Sequence, residues 1–269
     1  MLRSMKDLEG FTIGASDGDI GKISECYFDD VSYTVRYVVV ETGTWLAERK
    51  VLVSPISFRA MDWEHKRVTA ALTKSQVEKS PEVDMDKPVS RQHETAYLSY
   101  YGYAPYWSGG FLWGAYPYPY PGTGPAMSAA DLERERNWNW AAGKRNDPHL
   151  RSSRAVTGYH IHASDGEIGH VNDFLVDDHS WTIRFMVVAT TNWWPGKKVL
   201  VAPDWIDRVD WVESKVDVHL GREPIRTSPE YDPTRTVERA YEAQLYDHYA
   251  QRGYWEEWRE VAAETGAKR

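Results

Sequence analysis

The chain has a single cysteine, Cys26, in 269 residues. A lone thiol excludes an intramolecular disulfide framework and a cysteine-built zinc site, so Cys26 reads as a small core hydrophobe. Long apolar runs are missing as well. Nothing approaches the ~20 consecutive residues that a membrane-spanning helix needs, and the N-terminal stretch is charged where a secretory signal would be apolar. A soluble, cytoplasmic protein is therefore expected, with the periphery of the inner membrane as the other placement. Positive charge is in deficit, 32 Lys and Arg against 40 Asp and Glu, for a net charge of −8. That balance argues against general nucleic-acid binding, because phosphate backbones need a concentrated basic face. There is no phosphate-cradling glycine loop, nucleophile elbow or Cys-His pair, so the chain reads as a non-enzyme with no cofactor. Phenylalanine is scarce at six, whereas tyrosine and tryptophan number 17 and 13. Rings with a polar handle favour interfaces and wet binding surfaces, which points to a binding protein.

An internal duplication is present. Gly10 to Thr42 aligns without gaps on Gly158 to Thr190 at an offset of 148, with about half the positions identical. Ala15-Ser16-Asp17-Gly18 returns as Ala163-Ser164-Asp165-Gly166, Ile20-Gly21 as Ile168-Gly169, and Thr34-x-Arg36 as Thr182-x-Arg184. The register continues through Lys50-Val51-Leu52-Val53 against Lys198-Val199-Leu200-Val201 and Ser80-Pro81-Glu82 against Ser228-Pro229-Glu230. A unit this long can bury a core of its own, so two domains are expected, residues 1–101 and 151–269, joined by a linker over 102–150.

Within one copy, Asp17-Gly18, like Asp165-Gly166, marks a tight hairpin turn, since Asp-Gly suits positive φ. Ile20 to Phe28 and Val35 to Glu41 have the β-branched and aromatic make-up of half-buried strands, and Val51 to Val53, Ser57 to Met61 and Arg67 to Leu72 add three more. The fold class expected is mainly β, two six-stranded β-barrels related by duplication, closure removing exposed edges. A helix should trail each barrel. Pro88 and Pro233 suit a first helical turn, and Val237, Tyr241, Leu245 and Tyr249, like Val89, His93, Tyr97 and Tyr101, form a stripe four residues apart.

At Gly-x₄-Ser-Asp-Gly-x-Ile-Gly, at Thr-x-Arg-Tyr/Phe-x-Val-Val and at Lys-Val-Leu-Val-x-Pro, the sequence resembles the PRC-barrel family, twice, over Met5 to about Leu72 and Ser153 to about Leu220. The resemblance implies a small six-stranded barrel like that of the photosynthetic reaction-centre H subunit's cytoplasmic part and of a ribosome maturation factor. Those relatives bind partners. It therefore implies a protein-binding scaffold or adaptor that docks on a membrane-associated complex such as a photosynthetic or electron-transfer assembly, or, in the alternative, a ribosome- or RNA-associated factor. It carries no catalytic residues onto these positions.

Between the copies, Tyr97 to Pro125 is dense in Tyr, Pro and Gly, which excludes regular helix and central strand. It is either a spacer or a sticky strap lying over a barrel, with Tyr116, Tyr118 and Tyr120 as contact rings. Ala129 to Trp140 suits a short helix. Trp45 in copy one and Trp193 and Trp194 in copy two lie in the loop before the fourth strand, where rings anchor a partner or pack at a core edge. His160 and His162 share a strand face near His170, the arrangement a metal-dependent enzyme would use, although solvated strand histidines are the commoner outcome and copy one lacks all three. Asp29-Asp30 and Asp177-Asp178 read as turn residues, with Arg36 and Arg184 pairing to such carboxylates across the sheet. No partner is identified by the sequence, and the two barrels are expected to pair within the chain or to form a homodimer.

Overall fold

A computed structural model describes residues 1–81, 89, 91–120, 149–190 and 196–256. Trp193, Trp194, Pro88 and the helix expected over Ala129 to Trp140 lie outside the described residues. The first copy runs β1 (Leu2–Ser4), α1 (Met5–Leu8), β2 (Thr12–Ala15), β3 (Gly18–Asp29), β4 (Val35–Glu41), β5 (Lys50–Val53), β6 (Phe58–Asp62), β7 (Arg67–Ala70), α2 (Lys74–Glu78) and α3 (Arg91–Tyr101). The second repeats it as β8 (Leu150–Ser152), α4 (Ser153–Val156), β9 (His160–Ala163), β10 (Gly166–Asp177), β11 (Ile183–Thr190), β12 (Lys198–Val201), β13 (Ile206–Asp210), β14 (Lys215–Val218), α5 (Arg222–Thr227) and α6 (Arg239–His248). The protein is thus mainly β, and no described helix is long and apolar enough to cross a membrane.

Each copy builds a six-strand path, β5-β4-β3-β2-β7-β6 and β12-β11-β10-β9-β14-β13. Both paths are open in their hydrogen bonding, ending at β5 and β6 and at β12 and β13. A seventh strand joins each sheet, β8 beside β3 and β1 beside β10. Most pairings are antiparallel, but β2 lies parallel to β7 and β9 to β14. The long strand β3 breaks register between Ile23 and Glu25 and between Tyr27 and Phe28, and such bulges bend and coil a strand. The β-branched runs that signalled strands fill the interior: Ile13, Ile20, Val38, Val40, Val53 and Val68 in copy one are fully buried, as are Ile161, Ile168, Val188 and Val201 in copy two. Each such side chain contributes about 1.5–3 kcal/mol by leaving water. Cys26 lies buried among them.

The first hairpin differs in detail from the Asp-Gly reading. Ala15 pairs with Gly18, so Ser16 and Asp17 are the turn's central pair, and Gly18 opens the strand at φ +132°, with Gly166 at +139°. Those angles favour glycine. The aspartate also serves a neighbouring helix. Asp17 Oδ1 accepts the Lys74 N–H at 2.8 Å and Asp165 Oδ1 accepts the Arg222 N–H at 2.7 Å, fastening the turn to the start of α2 and of α5. Asp17→Ala or Asp165→Ala should each lower stability by about 1 kcal/mol in urea unfolding, the usual value of a lost helix cap.

The helices end under similar repeated control. Arg49 donates to the carbonyls of Glu78 and Ser80, and Lys197 to those of Arg226 and Ser228, placing a cation on the last turn of α2 and of α5. The trailing helices bury part of the stripe the sequence suggests, Tyr97 on α3 and Leu245 with the following Tyr249 on α6, and widen it by neighbouring residues. Glu94, Tyr97 and Leu98 are buried on α3, and Glu242, Leu245 and Tyr246 on α6. Pro233 stands in a turn ahead of α6, which starts only at Arg239. Tyr97 packs edge-on against Tyr37 and bonds Leu52 O and Ser54 N through its hydroxyl. Tyr246 meets Phe185 and Trp205.

Two compact units divide the chain: a larger one of Arg3–Val156 with Phe174–Arg184, and a smaller one of Met1–Leu2, Thr157–Asp173 and Phe185–Arg269. The larger unit therefore holds a hairpin tip from the second copy as well as the whole first sheet. Within it, Thr34 and Thr182 form a bridge, with Val35 N–H donating to Trp181 O at 2.8 Å and Ile183 N–H to Tyr33 O at 2.7 Å. Tyr33 and Trp181 occupy equivalent positions and both take positive φ, +48° and +61°. Holding a bulky residue there costs about 1–2 kcal/mol, which the reciprocal hydrogen bonds offset. Arg151 pairs with Asp30 at 2.7 Å and Arg3 with Asp178 at 3.4 Å, again equivalent positions with the copies interchanged.

Candidate partner-binding face

The larger unit presents a strap, residues 103–120, that leaves the end of α3 and is held down by a buried cation. Arg36 on β4 is almost wholly buried. Its guanidinium lies 3.6 Å from the centre of the Tyr106 ring and 4.9 Å from that of Trp113, donates to Leu112 O at 2.6 Å and to Ser32 Oγ at 3.0 Å, and stands 3.8 Å from the Asp29 carboxylate. Burial pushes its pKa down, yet an arginine in these surroundings keeps its charge. Arginine suits the place because a planar cation satisfies ring faces and carbonyls at once. Trp113 adds a hydrogen bond from its indole N–H to Ser180 O at 2.8 Å. Two small bridges, Phe111 with Gly114 and Trp113 with Tyr116, shape the strap itself.

Behind the strap sits a buried polar cluster. The Tyr106 hydroxyl donates to Glu94 Oε1 at 2.9 Å, and His149 Nε2 stands 2.5 Å from Glu94 Oε2 and 3.3 Å from the Tyr106 hydroxyl. Glu94 has no exposed surface, and His149 is buried with it. Burial raises the Asp30 pKa despite the Arg151 contact, and pushes the Tyr37 phenol well up. In the smaller unit the same pair recurs: the Tyr254 hydroxyl donates to Glu242 Oε2 at 2.7 Å, and Arg239 bonds that same oxygen at 3.1 Å. Glu94 with Tyr106 and Glu242 with Tyr254 keep the offset of 148, a signal present in the sequence that an apolar-stripe reading of the helices passes over.

Beyond the buried anchors, the strap displays rings. Tyr116 and Tyr120 lie 4.5 Å apart, Tyr118 is within 6.5 Å of both, and Tyr118 also meets His179 at 4.7 Å. Phe111, Tyr116 and Tyr120 are exposed, at 49%, 38% and 46%. The three tyrosines named by the sequence are thus brought together. Trp45 has a different setting. Half-buried, it donates its indole N–H to Ile20 O and carries the Lys74 ammonium 4.4 Å above its ring. Asp29 and Asp177 accept loop N–H groups, and Arg184 stands 3.8 Å from Asp177 as Arg36 does from Asp29.

The histidines spread along one hairpin, His160 exposed and His162 and His170 half-buried. His160 and His170 are ladder partners, His162 faces Glu167 and Asp217, and the His160 ring bonds Glu167 at 2.9 Å. Among the described residues, no three acid, imidazole or thiol side chains converge as a metal site would require. The smaller unit also has an open groove of about 600 Å³, lined by Glu230, Asp232, Glu238 and Arg235 among others. No protein-family model matches the chain, and no curated protein is significantly similar to it.

Proposed function

We propose that this chain is a non-catalytic docking protein of PRC-barrel type, its two six-strand paths forming the walls of two small barrels, and that Tyr116, Tyr118, Tyr120 and Phe111 take a protein partner. The observation that carries this reading is the exposed tyrosine cluster at the end of a strap fixed by a buried arginine. Leaving apolar ring surface in water forgoes about 25 cal/mol for each Å² that burial would recover. A cluster mounted on Arg36 and Trp113 is already ordered, so a partner covering it loses little conformational entropy. Phenols add hydrogen-bonding tips to wide flat faces, a combination that protein interfaces favour.

The triple variant Y116A/Y118A/Y120A tests it. Immobilised wild-type protein should retain a specific protein from cell extract at least about tenfold better than the variant, the loss expected when ring anchors are truncated. The variant's thermal midpoint should stay close to that of the wild type, because two of the three rings are exposed. Equal retention by both proteins, or specific retention by neither, overturns the reading.

A further inference from the structure

We propose that His149, Glu94 and Tyr106 form a proton-operated latch, holding the tyrosine strap closed while His149 is protonated and loosening it as the imidazole becomes neutral. The consequence for partner binding rests on the docking reading; the latch itself rests on the buried geometry. Tyr106 is the strap's first anchor, and its hydroxyl meets the same carboxylate as His149. While the imidazolium faces Glu94, the contact is charge-assisted. Once neutral, the ring keeps at most an ordinary hydrogen bond, and the buried carboxylate loses the cation on that side. The contribution is therefore complete below about pH 6.5, where an imidazole of the unfolded chain is protonated, and is lost only as pH rises through the value His149 has beside Glu94.

Other groups face this cluster from each neighbouring element. Arg36 and Tyr37 on β4 and His93 on α3 interact with Glu94, Asp29 interacts with Arg36, and Asp30, paired with Arg151, interacts with His149. Of these, only His93 is another imidazole, and burial lowers its pKa, so it sheds its proton at lower pH. The second copy supplies an internal control. There the Glu242–Tyr254 pair is served by Arg239, whose guanidinium also lies 5.0 Å from the Tyr254 ring and 4.5 Å from the Trp255 ring. Arginine does not titrate over this range, so that latch is closed at every working pH.

Hydrogen exchange on the intact chain reads the latch directly. The Phe111 and Trp113 amides bond Gly114 O and Tyr116 O within the strap, and the Glu256 amide bonds Gly253 O beside the second latch. From about pH 5.5 to about pH 8, protection factors at Phe111 and Trp113 should fall about tenfold, the gap between a charge-assisted and a neutral contact. That of Glu256 should stay level. His149→Gln, which keeps a hydrogen-bonding side chain, should hold the strap at its looser level at both pH values, and His93→Gln should leave the wild-type response intact. Equal protection at both pH values, a response surviving in His149→Gln, or one abolished by His93→Gln overturns the latch. Exchange needs no partner, so failed capture by the tyrosines would sink the docking reading and leave this result standing.

Discussion

Arg36→Ala should destabilise the protein by about 3–5 kcal/mol in urea unfolding and remove exchange protection from Phe111 and Trp113, the range seen when one member of a buried ion pair is deleted. Three losses combine. Asp29 stays buried, keeping its bonds to the Val31 and Ser32 amides but losing the cation 3.8 Å away. Leu112 O and Ser32 Oγ, both part-buried, lose their donors, each at a cost below the about 1–3 kcal/mol of a fully buried acceptor left bare. Tyr106 and Trp113 lose the cation between them and face a void. Arg36→Lys separates charge from shape: an ammonium can approach Asp29 but cannot stack on two rings and reach two acceptors together. Lysine should therefore recover part of the stability and little of the strap's protection. If Arg36→Ala unfolds at the wild-type urea midpoint, the strap is not anchored where its geometry says.

The sequence made the duplication legible because identical turn and strand residues must recur wherever the same backbone recurs. Asp17 and Asp165, Arg36 and Arg184, and Lys50 to Val53 with its copy all kept their places. Strand positions were legible to within a residue or two from β-branched runs. Strand partners were not, because alternation says which face of a strand is buried and nothing about which edge meets which. The added strand in each sheet is the clearest example. Leu2-Arg3-Ser4 and Leu150-Arg151-Ser152 are identical, yet three residues are too few to show a period, and their places beside β10 and β3 follow from tertiary contacts alone.

For the candidate site the division is similar. Tyr-Pro alternation marked Tyr116, Tyr118 and Tyr120 as contact rings, but it could not reveal that Arg36, 80 residues upstream of Tyr116, anchors the strap that carries them. A carboxylate partner is reason enough for an arginine on a strand, yet a guanidinium has room for several partners. Glu94 and Glu242 carry no sequence mark of burial because a carboxylate on a helix is normally solvated. Their burial becomes explicable only once Tyr106 and Tyr254, twelve residues further on, are seen to bond them.

Gly21→Ala and Gly169→Ala should each cost about 3 kcal/mol, at the top of the usual range for overpacking, because the atoms in the way belong to backbone. A Cβ on Gly21 would lie 2.1 Å from Glu41 O and 2.9 Å from Thr42 Cα, and one on Gly169 would lie 2.0 Å from Ala189 O. Lys22 pairs with Glu41 in the β3–β4 ladder, so relief would require prising apart the longest strand pairing of the sheet. Nothing flexible stands there to yield. Gly10 and Gly158 provide the contrast: each has positive φ, +83° and +96°, but open space where a Cβ would go. Alanine at either should cost only about 1 kcal/mol of backbone strain. The two close approaches lie in different sheets, so the double variant should lose about the sum of the single losses. Thermal unfolding of the four single variants therefore ranks steric contact against backbone conformation. Should Gly21→Ala prove as mild as Gly10→Ala, β3 and β4 do not meet as closely at Glu41 as the ladder requires, and the repeated Ile-Gly pair must owe its recurrence to something other than the approach of two strands.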